Sequence, residues 1–167
     1  MNYMKIEKVS IGNGLGCRCV LWCSGCSLRC KGCFNPETWD FNAGKQFDEK
    51  AKQFLFEQLS KPYIKGLTIS GGHALEPENF ETIINIVKEI KAKFPTKDIW
   101  LYTGYLYEEL YYREISRILL YIDVLVDGPY IEGQRDISLA FRGSRNQRLI
   151  DVPETLKQGK IITLQND

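Results

Sequence analysis

Apolar positions along this chain fall into short β-like runs that alternate with longer helical stripes. Arg18 to Trp22 reads as a short strand, ended by Ser24-Gly25. Asp48 to Leu59 reads as a helix, with Asp48 as its cap and Ala51, Phe54, Leu55 and Leu59 on one stripe. GLTIS, residues 66–70, is a β-rich run closed by Gly71-Gly72. Pro77 to Phe94 carries the clearest helical period. Pro77 suits its first turn, Phe80, Ile83, Ile84, Val87 and Ile90 form one face, and Pro95 stops it. A strand over Ile99–Thr103, a helix from about Leu106 to Leu120 and a strand over Asp123–Val126 follow. The pattern then loosens, and Gln147–Val152 and Lys160–Leu164 are expected as two late strands.

The predicted order, β-α-β-α-β-α-β, implies a parallel sheet with right-handed crossovers. A closed eight-fold barrel takes about 250 residues. A chain of 167 residues is too short for that, which leaves an open partial barrel or a doubly wound sheet. In either, ligands sit at the carboxyl ends of the strands. The cysteines, Gly71-Gly72, Thr103-Gly104 and Asp127-Gly128 all follow predicted strands.

Composition narrows the classes. Length points to one domain with its own core. The formal net charge is +1, which argues against a broad nucleic-acid footprint. No run approaches the roughly 18 apolar residues of a membrane span. MNYMKIEKVSIGNG has no apolar stretch of the kind that opens a secretory signal. The expectation is therefore a cytoplasmic protein with reduced thiols.

All six cysteines lie between Cys17 and Cys33. In a reducing compartment such crowding points to metal ligation. Two triplets share the spacing C-x3-C-x2-C: Cys19, Cys23 and Cys26, and Cys26, Cys30 and Cys33. Cys19 and Cys23 flank the apolar heart of the first strand, where four residues span roughly 13 Å. With Cys17 they share parity and suit buried, soft hydrophobes. Cys26, Cys30 and Cys33 lie past the strand, in a loop with Gly25 and Gly32 that can offer N–H groups to sulfur. Three thiolates leave one iron of a cubane cluster without a protein ligand. Structural zinc remains an alternative, with Cys23/Cys26 and Cys30/Cys33 as pairs, although those pairs lie far closer than the usual spacing of about 15 to 20 residues.

The ordered motifs resemble a known family. IGNGLGCRC, GCSLRCKGCFNPETWDFNAG, GLTISGG, KDIWLYTGY, DVLVDGPYIE and FRGSRNQR run over most of the chain. Together they resemble the radical S-adenosylmethionine superfamily, and within it the activating proteins of anaerobic ribonucleoside-triphosphate reductase. The resemblance implies a single domain over 1–167: an α/β, partial (open) β/α barrel with a mostly parallel sheet. The family's GC-x3-C-x-GC-aromatic-N pattern falls on Gly25-Cys26, Cys30, Gly32-Cys33, Phe34 and Asn35. It implies Cys26, Cys30 and Cys33 as ligands of a [4Fe–4S] cluster with one open iron. S-adenosyl-L-methionine would bind that iron and be cleaved by one electron to a 5′-deoxyadenosyl radical, which would take a hydrogen atom from a glycine of the reductase. Ser70, Gly71, Gly72, His73, Thr103 and Asn35 are the expected cofactor contacts. The reductase and an unidentified one-electron donor are the expected partners, with no nucleic acid and no membrane.

The chain departs from the family where an acidic residue and proline usually follow the glycines, having His73 and Ala74 instead. His73 is either a neutral hydrogen-bond acceptor in place of the carboxylate or a solvated turn residue. Arg142, Arg145 and Arg148, with Ser144 and Asn146, form a basic loop expected near the active site or a partner surface, unless simply solvated. Tyr105, Tyr107, Tyr111 and Tyr112 are expected to pack. Rival functions are an activase of another glycyl-radical enzyme, a small-molecule radical enzyme, or a zinc-stabilised binding module.

Overall fold

The computed structural model describes residues 1–164; the last three residues of the expected 1–167 domain lie outside the described residues. Seven strands among them form one open mixed sheet: β1 (Asn2–Ser10), β2 (Arg18–Cys23), β3 (Lys45–Gln46), β4 (Gly66–Gly71), β5 (Asp98–Tyr102), β6 (Val124–Asp127) and β7 (Arg148–Asp151). Their order is β3-β1-β2-β4-β5-β6-β7. The centre, β2-β4-β5-β6, is parallel, while β1 and β3 on one side and β7 on the other run antiparallel.

The central alternation was legible in the sequence. Helix α1 (Glu49–Leu59) begins after Asp48, whose carboxylate accepts the Ala51 N–H at 2.8 Å. Such a cap satisfies one of the orphan donors of a first turn. Asp48→Ala is expected to cost about 1 kcal/mol, read as a lower urea midpoint with an unchanged slope. Helix α2 (Pro77–Lys93) buries Phe80, Ile83, Ile84, Val87 and Ile90, as its period predicted. Each such side chain contributes roughly 1.5–3 kcal/mol of apolar burial.

Four expectations change. Strand β1 was not predicted, because its nine residues alternate charged and apolar positions without a clean period. The expected helix over Leu106–Leu120 is broken into α3 (Tyr107–Tyr111) and a 3-10 segment over Glu114–Leu120. Tyr112 and Arg113 between them leave the helical conformation, and Tyr111 and Tyr112 are exposed, meeting each other edge-on at the surface rather than packing into the core. The late strand expected over Lys160–Leu164 reduces to one bridge, Thr163 to Ile150. A helix, α4 (Val152–Gln158), precedes it, capped by Asp151 and ended by Gly159 in the left-handed region.

The two faces of the sheet differ. Cys19, Leu21 and Cys23 of β2, Leu67 and Ile69 of β4, Ile99 and Leu101 of β5, Leu125 of β6 and Ile150 of β7 pack with residues from all four helices. On the other face Trp100, Val124, Val126 and Leu149 pack with Tyr102, Phe141 and Leu164, and no helix joins them. Helices on one face only are not a doubly wound arrangement. The parallel registers pair Trp22 with Ser70, Ile69 with Leu101 and Tyr102 with Val126. They bring the carboxyl ends of β2, β4, β5 and β6 to one edge.

Candidate functional site

At that edge lies a cavity of about 410 Å³. Its lining includes Cys26, Cys30, Cys33, Asn35, Ser70, Gly71, Gly72, His73 and Thr103, the whole set singled out in the sequence. Trp22, Tyr102, Phe141 and Arg142 complete much of the wall.

The cysteine loop leaves β2 through Gly25, whose φ of +91° is left-handed. A Cβ there would stand 2.3 Å from the Phe41 ring. The loop is pinned from both sides. Gly25 and Cys26 donate their N–H groups to the carbonyls of Thr38 and Trp39, at 2.8 and 3.1 Å. From the β4 turn, Gly72 N–H reaches the Cys23 carbonyl at 2.8 Å and His73 N–H reaches the Gly25 carbonyl at 2.7 Å. Gly71 has φ +98°, and a Cβ on Gly72 would lie 2.6 Å from the Gly25 carbonyl oxygen. The glycine pair is therefore required by backbone approaching backbone.

The six thiols divide into two groups. Cys19 and Cys23 are fully buried, and burial pushes both thiols up to about 12. They face the helices and behave as core hydrophobes. Cys17 is half-buried and packs against the same core. Cys26, Cys30 and Cys33 are half-buried and line the cavity. Burial also raises the Cys26 thiol, against which the N–H groups of Arg29 and Leu28 act. The Asn35 N–H points to the Cys33 sulfur at 3.4 Å. Arg29, at φ +44°, holds the turn that aims these groups.

This donor set fits a multi-iron cluster better than one ion. Among the described residues no three His, Cys, Asp or Glu side chains converge where a single metal ion would sit. A cubane cluster needs no such convergence, because each thiolate takes a different iron. Three cavity-facing thiols, with N–H groups directed at the Cys26 and Cys33 sulfurs, fit that role, and the paired arrangement expected for structural zinc has one of its four members, Cys23, in the apolar core.

His73 is not a solvated turn residue: it is 2% exposed. Its Nδ1 lies 3.2 Å from Glu76 Oε1 and its Nε2 lies 2.9 Å from Thr103 Oγ1. Glu76 was not singled out in the sequence. It is 4% exposed and accepts the Ser27 N–H at 2.8 Å and the Ser27 hydroxyl at 2.7 Å. Burial works to raise its carboxyl, but hydrogen bonds from His73 and Ser27 outweigh that and hold it down at about 2.

The basic loop separates into three cases. Arg148 is locked onto buried Asp127, 3.0 Å from Nε to Oδ1, and onto Glu108. Asp127 in turn accepts the Tyr107 N–H at 2.8 Å, so this pair is scaffolding. Arg145 pairs with Asp136 at 3.0 Å on the surface. Arg142 alone of the three lines the cavity. Ser144 is buried and braces the same loop, accepting the Ile131 N–H. Asn146 donates to the Pro129 carbonyl.

Comparison with known proteins also points to an iron–sulfur cluster. The family described as "4Fe-4S single cluster domain" matches residues 12–150. The anaerobic ribonucleoside-triphosphate reductase-activating protein of Haemophilus influenzae is 46% identical over 149 residues, covering 88% of this chain and 96% of its own length. The protein of the same name from Enterobacteria phage T4 is 46% identical, covering 89% and 93%. That from Escherichia coli K12 is 42% identical, covering 88% and 96%. With likeness of this extent over nearly the whole length of each, the chain belongs to the family of anaerobic ribonucleoside-triphosphate reductase-activating proteins.

Proposed function

We propose that this chain is an iron–sulfur, radical S-adenosylmethionine enzyme that generates the glycyl radical on an anaerobic ribonucleoside-triphosphate reductase. The observation that carries it is the meeting of Cys26, Cys30 and Cys33 with the Gly71-Gly72 turn in one cavity, in a chain 46% identical to activating proteins of that reductase. A [4Fe–4S] cluster with one open iron, together with S-adenosylmethionine, supplies the one-electron cleavage that ends in hydrogen-atom removal from a glycine.

The protein's own part is placement and exclusion. Cys26, Cys30 and Cys33 hold the cluster, and the loop's N–H groups support the sulfur charge. Ser70, Gly71 and Gly72 admit a ligand close to the backbone, and Asn35, His73 and Thr103 complete its contacts. The Phe34 ring packs against Tyr130 at 5.0 Å between centroids and closes over Gly143. It joins the cysteine loop to the segment after β6 and forms part of the cavity wall. Helices on one face and the site on the other support the reading of the sheet as an open, partial β/α barrel acting as one domain. No helix among the described residues is long and apolar enough to cross a membrane. The enzyme is read as cytoplasmic and as drawing on a one-electron donor there.

The reading is tested by mixing the anaerobically reconstituted protein with the reductase, S-adenosylmethionine and dithionite. A glycyl-radical resonance on the reductase, matched by methionine and 5′-deoxyadenosine, is the expected result. S-adenosylmethionine cleavage without that resonance would assign another substrate. Stoichiometric zinc with no cleavage would make the cysteine loop a scaffold.

A further inference from the structure

One chain of hydrogen bonds, buried from Glu76 onward, crosses the three loops that form the site. It runs from Ser27, next to Cys26, through Glu76 and His73 to Thr103. These loops follow β2, β4 and β5. Glu76, His73 and Thr103 are each at most 5% exposed. A single oxygen, Glu76 Oε1, accepts three of the bonds: the Ser27 N–H, the Ser27 hydroxyl and the His73 ring.

An ionised carboxylate only accepts, so it selects the His73 tautomer with the proton on Nδ1. In the neutral form of that ring Nε2 is an acceptor, to which the Thr103 hydroxyl donates. Thr103 Oγ1 also accepts the Tyr105 N–H at 3.1 Å. A hydroxyl has one proton and two lone pairs. The proton is committed to His73 and one lone pair to Tyr105, which leaves one lone pair. Thr103 lines the cavity. The Tyr105 ring stands edge-on to the imidazole at 4.6 Å and keeps it from turning.

We propose that Glu76 is a positioning residue: it clamps the cysteine loop through Ser27 and, by setting the His73 tautomer, makes Thr103 offer the cavity a hydrogen-bond acceptor. The group recognised there is a donor, such as the ammonium of an amino-acid moiety. This deepens the proposed function and rests on it for the identity of the ligand. Neither Glu76 nor Ser27 touches that ligand; both act through their neighbours.

His73 is the only histidine of the chain, so its ring can be read without ambiguity. The test uses the full chain with isotope-labelled histidine, an oxidised cluster and no histidine tag. A proton–nitrogen correlation spectrum should show Nδ1 protonated and Nε2 bare. Glu76→Gln, whose amide oxygen accepts the same bonds, should keep that tautomer and bind S-adenosylmethionine within about threefold of the parent. Glu76→Ala should give mixed tautomers and weaken binding by about tenfold, the loss expected when a buried polar chain loses its acceptor. Thr103→Val should weaken binding similarly without moving the tautomer, and Thr103→Ser should restore it. A parent spectrum with the proton on Nε2, or Glu76→Ala with unchanged tautomer and affinity, overturns the proposal. Should Glu76→Ala not fold, the parent tautomer and the Thr103 pair decide it alone. If the parent binds no S-adenosylmethionine, the functional reading falls, while the tautomer comparison still decides whether Glu76 orients His73.

Discussion

Cys30→Ala is expected to yield a folded protein that retains little iron and cleaves no S-adenosylmethionine, whereas Cys19→Ala keeps both. Cys30 sits half-buried in a loop at the cavity, so its side chain contributes little to the core. On the proposed assignment its loss removes one of three cluster ligands and should leave activity at background. Cys19 is 0% exposed among helix-side hydrophobes, with its thiol pushed up to about 12 by burial. Losing that sulfur should cost roughly 1–2 kcal/mol of stability, with no change in the cluster. Low-temperature electron paramagnetic resonance of dithionite-reduced protein, with and without S-adenosylmethionine, reads the difference. The parent and Cys19→Ala should give a signal that changes shape on adding the ligand, and Cys30→Ala should give none. The reverse pattern would move the cluster to Cys19, Cys23 and Cys26.

Arg18→Leu should lower the unfolding free energy by about 3–5 kcal/mol, the usual cost of removing one partner from a buried ion pair. The Arg18 side chain is fully buried at the start of β2, at the opposite end of the strand from Cys26, Cys30 and Cys33. Its guanidinium donates to Thr68 Oγ1 at 2.7 Å and to the Leu67 carbonyl at 2.8 Å, and it lies 2.5 Å from Asp98. Asp98 Oδ1 is buried with no aligned hydrogen bond, so the guanidinium charge is what balances it. Burial works to lower the Arg18 pKa, and Asp98 opposes it. Lysine cannot reach this fork of acceptors from one nitrogen, so Arg18→Lys should rescue little. Adding Asp98→Asn to Arg18→Leu should recover part of the loss. Urea unfolding gives the magnitude, and the protein that remains folded should still take up iron, because no residue of this cluster lines the cysteine loop. Loss of iron binding in folded Arg18→Leu would mean that the two ends of the sheet are coupled.

Local chemistry made several features legible in advance. A glycine pair between two strand ends is needed wherever two backbones must touch, and Gly72 against Gly25 is such a place. Asp48 and Pro77 announce their helices because a cap and a first-turn proline act within a few residues. The division of the cysteines also followed from local geometry, since strand parity sends Cys19 and Cys23 into the helix-side core. The break after Tyr111 was not visible, because Tyr112 and Arg113 do not themselves forbid a helix; Tyr112 is 88% exposed and meets the neighbouring Tyr111 ring edge-on rather than the core.

The central alternation of strands and helices and the cysteine loop as candidate cluster site were thus legible in the sequence alone, because periodicity, caps and cysteine spacing act over a few residues, and the family was legible as a resemblance of ordered motifs. The antiparallel edges of the sheet, the separate fates of Arg142, Arg145 and Arg148, and the pairing of Glu76 with Ser27 and His73 were decided only by tertiary structure. Glu76 and Ser27 are 49 residues apart, and His73 and Thr103 are 30 apart. A carboxylate that looks like an ordinary helix N-terminal residue becomes a buried acceptor only once parallel pairing brings three strand ends together. Partners so distant leave no local pattern, since what joins them is the register of the sheet.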